Sequence, residues 1–238
     1  MHNDPPVLEM ADVVKDYRGL RPLRVQRLSL APREQVAVVG MDAPAAEMMT
    51  TLVTGAALPD QGTIQVLGMS TTGITNTDEW LRLVDRIGLV TDRATLLELF
   101  TVVQNLAMSY TLSIEPLADT VRARATALAA EVGLSESRWD TRVADLDAHD
   151  KTRVHLGRAL ALEPTLLLLE HPTAQVARAA VRALARDIKA TAGRRGLATL
   201  ALTGDEEFVQ TMGLRVMQWD PARGTLRERT RNWWPFRR

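Results

Sequence analysis

Apolar and polar positions alternate in short blocks along most of this chain, and the blocks change period in a regular order. Residues 7–30 alternate loosely and predict two antiparallel strands about the turn Arg18-Gly19. Gln35-Val36-Ala37-Val38-Val39 is a short, almost wholly apolar run and predicts a buried strand, followed by Gly40 and a helical stretch toward Gly55. Pro59-Asp60-Gln61-Gly62 predicts a turn, because Pro presets φ and Gly permits a left-handed backbone. Further strands are expected at 63–67, 86–90, 165–169, 197–202 and 215–219. Helices are expected at 78–84, through much of 96–133, and at 156–162, 174–192 and 206–212, with Gly193 closing the fourth of these. Strands alternating with helices predict an α/β fold with a mainly parallel sheet, N-terminal antiparallel strands and a helical subdomain at about 92–150. One domain over 1–226 and a basic, aromatic tail over 227–238 are the expected organisation.

Composition narrows the function classes. The chain has 238 residues, and its charges balance at 29 against 29, so no whole-chain field draws it to nucleic acid, and nucleic acid is not an expected partner. It has no cysteine, which removes disulfides and thiolate metal sites and suits a reducing cytoplasm. The polar start Met1-His2-Asn3-Asp4 reads against a signal peptide. No apolar run approaches the roughly 20 residues of a membrane span.

The segment after Val39 has the frame of a phosphate loop without its chemistry. The working motif is G-x-x-x-x-G-K-[ST] between strand and helix. Here Gly40-Met41-Asp42-Ala43-Pro44-Ala45-Ala46-Glu47-Met48 places Ala45 at the second Gly, Ala46 at the Lys and Glu47 at the hydroxyl. Lysine occurs only at 15, 151 and 189, so the loop Lys is absent outright. Pro44 removes one N–H donor, Ala45 adds a Cβ where close approach is needed, and Glu47 adds an anion. One charge at about 4 Å is worth roughly 4 kcal/mol at an effective dielectric near 20, so this exchange opposes phosphate by several kcal/mol. Glu47 is expected to be a solvated first-turn carboxylate favoured by the helix dipole, with a ligand role as the alternative.

Downstream, Gly157-Arg158-Ala159-Leu160-Ala161-Leu162-Glu163-Pro164 leads into Thr165-Leu166-Leu167-Leu168-Leu169-Glu170-His171-Pro172-Thr173. Together with Val53-Thr54-Gly55, Pro59-Asp60-Gln61-Gly62 and Ile87-Gly88-Leu89-Val90, this order resembles the ATP-binding subunit of ABC transporters over about residues 7–226. The resemblance implies a P-loop NTPase-like ABC ATPase fold. It also implies a composite ATP–magnesium site shared with a second ABC ATPase subunit, and an integral membrane permease as partner. It places the chain in the cytoplasm, peripheral to the inner face of the membrane.

The family's motifs depart here at every step. Beyond the phosphate loop (Gly40, Ala45, Ala46, Glu47, Met48), Asp92 stands at the Q-loop Gln. Leu146-Asp147-Ala148-His149-Asp150 replaces Leu-Ser-Gly-Gly-Gln. Glu170-His171 replaces Asp-Glu, Ala177 replaces the D-loop Asp, and Gly204 stands at the switch His. No catalytic residue is expected, the family positions being Glu170, His171 and Gly204. No cofactor is expected, ATP with magnesium being the one implied if any nucleotide binding survives. No metal is expected, Glu170 being the one candidate ligand. His171 is expected to be satisfied by hydrogen bonds at a strand end, and His155 to be structural. Tyr17 matches the aromatic that stacks on adenine and equally suits packing.

The leading expectation is a catalytically inactive, structural or regulatory subunit of a membrane transport complex. The alternatives are a weak or conditional ATPase within a heterodimer and a soluble interaction module outside transport. In the tail, Trp233, Trp234 and the surrounding arginines suit a membrane interface or docking onto protein.

Overall fold

The computed structural model describes residues 4–228. Ten strands among them form one sheet. They are β1 (Leu8–Lys15), β2 (Leu23–Leu30), β3 (Gln35–Val39), β4 (Gln61–Val66), β5 (Met69–Ser70), β6 (Ile87–Val90), β7 (Leu166–Glu170), β8 (Ala198–Leu202), β9 (Arg215–Asp220) and β10 (Thr225–Glu228). Seven helices accompany them: α1 (Ala43–Val53), α2 (Thr77–Val84), α3 (Val102–Ala107), α4 (Asp119–Glu131), α5 (Ala148–Leu160), α6 (Arg178–Arg195) and α7 (Glu206–Met212). The sheet order is β5-β4-β1-β2-β10-β9-β3-β8-β7-β6. β9, β3, β8, β7 and β6 run parallel, while β2, β1, β4 and β5 pair antiparallel at the other side.

The apolar runs become central strands because both faces of the sheet are covered. Along β7, Leu167 and Leu169 enter one buried cluster with Leu106, Leu184 and Phe208. Leu166 and Leu168 enter the other, with Met49, Leu52 and Ile64. β3 divides in the same way, Ala37 and Val39 against Val36 and Val38. The two-residue period of a strand thus supplies two cores from one run. Gly88 permits a close crossing: an added Cβ there would lie 2.6 Å from the Ala159 carbonyl oxygen, so α5 rests directly on β6.

Several expected elements differ. The helical pattern expected through much of 96–133 resolves into two helices, α3 and α4, with a Pro-containing connection between them. The helix expected at 156–162 starts at Ala148, where Asp147 caps it; its early turns carry few apolar residues, which hid it. The helix expected at 174–192 starts only at Arg178, because turns occupy the residues after Pro172. It ends at Gly196 (φ 63) rather than Gly193. β10 was not expected, since Leu226 is its one apolar residue; pairing to β9 makes it a strand. β10 includes Arg227 and Glu228, two residues of the expected tail. The rest of that tail, with Trp233 and Trp234, lies outside the described residues.

Candidate functional site

The carboxyl ends of the parallel strands, where α/β sheets place ligands, gather Gly40 after β3, Thr91 after β6, Glu170 ending β7 and Thr203 after β8. Gly40 has φ 86, and a Cβ there would lie 2.7 Å from Gln218 Nε2, so the turn into α1 requires glycine. The N-terminus of α1 is self-capped: the Ala45 N–H donates to Asp42 Oδ1 (2.9 Å). Pro44 has no N–H to offer. Two of the four amides that a helix start leaves free for an anion are therefore absent or used. Ala45 and Ala46 are fully buried.

The centre of the site holds a guanidinium. Arg93, on the loop after β6, donates from Nε to Glu170 Oε1 (2.8 Å) and from Nη2 to Glu170 Oε2 (2.7 Å). Its Nη1 donates to Glu47 Oε1 (2.9 Å). The β6–β7 register sets Val90 beside Leu169, which brings Thr91 next to Glu170; the Thr91 hydroxyl donates to Glu170 Oε1 (3.3 Å). Glu170 is 4% exposed. Burial pushes its carboxyl up, but the bonds from Arg93, the nearby Thr50 and Thr91 hydroxyls and the Arg93 charge outweigh that and hold it below the usual glutamate value. Bonding to Glu170, against the opposing effect of burial, raises Arg93. Bidentate pairing of this kind is among the strongest side-chain contacts.

Arg93 was missed in the sequence. Glu47 is exposed, as expected, but it lies beyond the first turn of α1 and is the outer arm of this triad. A signal existed: with no lysine in the loop, Glu47 and Glu170 are two carboxylates at one phosphate site without a cation. Asp92, at the Q-loop position, is exposed, and its neighbour is the residue that faces the site. Tyr17 is half-buried against the core beside the backbone of Gly19, and burial and the Asp42 charge raise its phenol.

His171 adopts φ 44 and donates its N–H to the Leu202 carbonyl (2.8 Å). Its Nε2 is buried with no hydrogen-bond partner among the described residues, contrary to the expected satisfied histidine. It lines a cleft of about 300 Å³ with Thr173, Arg178, Gly204 and Asp205. A Cβ added at Gly204 would meet nothing within 4 Å, so a side chain is missing there from open space. Asp205 caps α7 and accepts from Thr173 Oγ1 (2.9 Å) and Arg178 Nη1 (2.9 Å). Ala177 precedes α6 without a capping side chain.

The signature-equivalent residues close on themselves. Asp147 Oδ1 accepts the Asp150 N–H (2.8 Å). Asp150 pairs with Arg153 Nη1 (3.1 Å) and Arg138 Nε (3.7 Å). Leu146 is buried, and Ala148 begins α5. Asp147, His149 and Asp150 are spaced closely enough for a metal ion, but Asp147 caps the helix and two arginines face Asp150. Replacing Asp147 by alanine should cost about 1 kcal/mol through the lost cap, read as a lower denaturant midpoint with an unchanged slope.

A family profile described as "ABC transporter" matches residues 24–174. The chain belongs to that family. It is 30% identical over 219 residues to the methionine import ATP-binding protein MetN of Brucella abortus, covering 90% of this chain and 58% of the relative. The chain thus spans well under two thirds of that relative's length. It is 28% identical over 216 residues to the lipoprotein-releasing system ATP-binding protein LolD of Alcanivorax borkumensis, covering 87% of this chain and 92% of LolD. Among solved structures, cbiO1 of Clostridium perfringens, part of the ABC transporter complex cbiONQ, superposes with a TM-score of 0.79 at 19% identity. That likeness spans 94% of this chain and 87% of cbiO1 and speaks for the fold. The ABC ATPase fold read from the sequence is therefore correct. No helix among the described residues is long and apolar enough to cross a membrane.

Proposed function

We propose that this ABC-family chain is a catalytically silent subunit, structural or regulatory, held at the cytoplasmic face of a membrane transport complex. The Arg93–Glu170–Glu47 triad carries this reading. A magnesium–triphosphate needs a free carboxylate for the metal and a cation near the phosphates. Here both oxygens of Glu170 accept from Arg93, Ala46 replaces the cation and Glu47 adds an anion. The residues present do not fit that group. The signature-equivalent face is no better suited: Asp147 is exposed and would meet a partner's nucleotide with negative charge, while Asp150 is buried against Arg153 and Arg138. This disfavours the alternative of a conditional ATPase in a heterodimer.

The partner we assign is a membrane permease subunit, reached through the groove between α5, β6 and the loop after it. Leu89, Ala94, Ser109, His155, Arg158 and Leu162 line about 260 Å³ there. Burial, and then the Arg158 charge, lower His155 to about 4, so His155 contributes a neutral imidazole to the groove wall at physiological pH. Pairing with a second ABC ATPase subunit and contact of the Trp233–Trp234 segment with the membrane surface belong to the same proposal.

The test is thermal stability and turnover of the purified chain with Mg-ATP. A micromolar site would gain about 4 kcal/mol at millimolar ligand, a shift of many degrees. The expected result is no shift and no phosphate release. Hydrolysis abolished by Glu170→Gln would overturn the proposal.

A further inference from the structure

The loop between β6 and α3 is tied on both sides of the groove. Inward, Arg93 joins it to β7 through Glu170 and to α1 through Glu47. Outward, Arg158 of α5 donates from Nη1 to the Thr95 carbonyl (2.7 Å). At its far end, the fully buried Asn105 accepts from the Leu97 N–H (2.9 Å) and donates to the Leu97 carbonyl (3.0 Å). Ala94, between the two ties, forms part of the groove wall.

Without Arg93, the inner tie would need a bound group bridging α1, β7 and the loop. We infer that Arg93 is a positioning residue, a built-in cation that fixes the loop and the groove wall in one place with no ligand present. The guanidinium suits this role because its planar fork matches a carboxylate with two parallel bonds and does not lose its proton. The third donor is left to reach Glu47, so one side chain spans three elements. The loop's own amide bonds are long: Arg93 N–H to Thr91 Oγ1 and Ala94 N–H to the Thr91 carbonyl are both 3.3 Å. They depend on the outside ties. The consequence for partner docking rests on the proposed function; the tie itself does not.

Hydrogen exchange of the full chain without nucleotide tests it. Arg93→Ala should speed exchange at residues 91–98 at least tenfold beyond the general rise that its lost stability brings to peptides from β8 and α6. Wild-type protection of 91–98 in Arg93→Ala overturns the inference. If Arg93→Ala speeds exchange to the same degree everywhere, Arg93→Lys decides, since it keeps the charge and loses the fork. A rise confined to 91–98 then sustains the inference, and unchanged protection overturns it. Nucleotide binding by the wild-type chain would remove the proposed function and leave this result standing.

Discussion

Arg93→Ala should lower the stability of the chain by about 2–3 kcal/mol. Removing one member of a buried pair typically costs about 3–5 kcal/mol, because the remaining charge is stranded. Arg93 keeps 40% side-chain exposure while Glu170 keeps 5%, so water relieves part of that cost. The loss should depend on pH. Glu170 is held below its ordinary 4.5 in the folded chain. A depressed carboxyl contributes stability above its unfolded value and loses it as pH falls through the folded one. The gap between wild type and Arg93→Ala should be full at pH 7 and shrink below about pH 4.5. Adding Glu170→Leu to Arg93→Ala should recover most of the loss, since no buried charge is left. Urea unfolding of the three proteins from pH 7 to pH 3 reads all of this. A gap that stays constant with pH would show that Arg93 acts by packing alone.

Gly62→Ala should be at least as damaging, by about 3 kcal/mol or more. Gly62 has φ 83, and an added Cβ would lie 2.4 Å from the carbonyl carbon and oxygen of Asp12 and 2.5 Å from the Ala11 carbonyl oxygen. The neighbouring strand bulges there, between Ala11 and Val14, with Asp12 itself at φ 51. The left-handed backbone costs an alanine about 1–2 kcal/mol, and forcing backbone apart adds about 1–3 kcal/mol. Gly68→Ala is the control: φ is 80 and nothing lies within 4 Å of the added Cβ, so the backbone cost alone applies. Denaturant midpoints should separate the two variants by more than about 1 kcal/mol. Equal midpoints would show that β1 and β4 yield freely at the bulge.

The fold was legible because its strongest signals are local. The run at 165–169 could only be a strand buried on both faces, and the order of strands and helices left one sheet type. The turn at Pro59–Gly62 was likewise readable from φ preferences alone. What stayed hidden was set by specific partners rather than by apolar periodicity. β10 is a strand because β9 lies beside it, and α5 extends back to Asp147 because a carboxylate caps it. The departures from the phosphate-loop pattern at Ala46 and Glu47 were visible residue by residue. Arg93 was not, because a guanidinium on a loop says nothing until the β6–β7 register brings it to a carboxylate 77 positions away.

On the proposed function, the triad also determines which substitutions could open this site to a nucleotide. Freeing Glu170 by changing Arg93 strands a buried charge before any metal is bound. Restoring a lysine at Ala46 first sets a second cation beside the guanidinium. Changing Glu47 first leaves Arg93 in place across the metal's position. On that reading each of these first steps gives an intermediate less stable than its parent or still unfavourable to ATP. The ion triad thus couples three elements through one side chain, and on that reading no single substitution among its members opens the site.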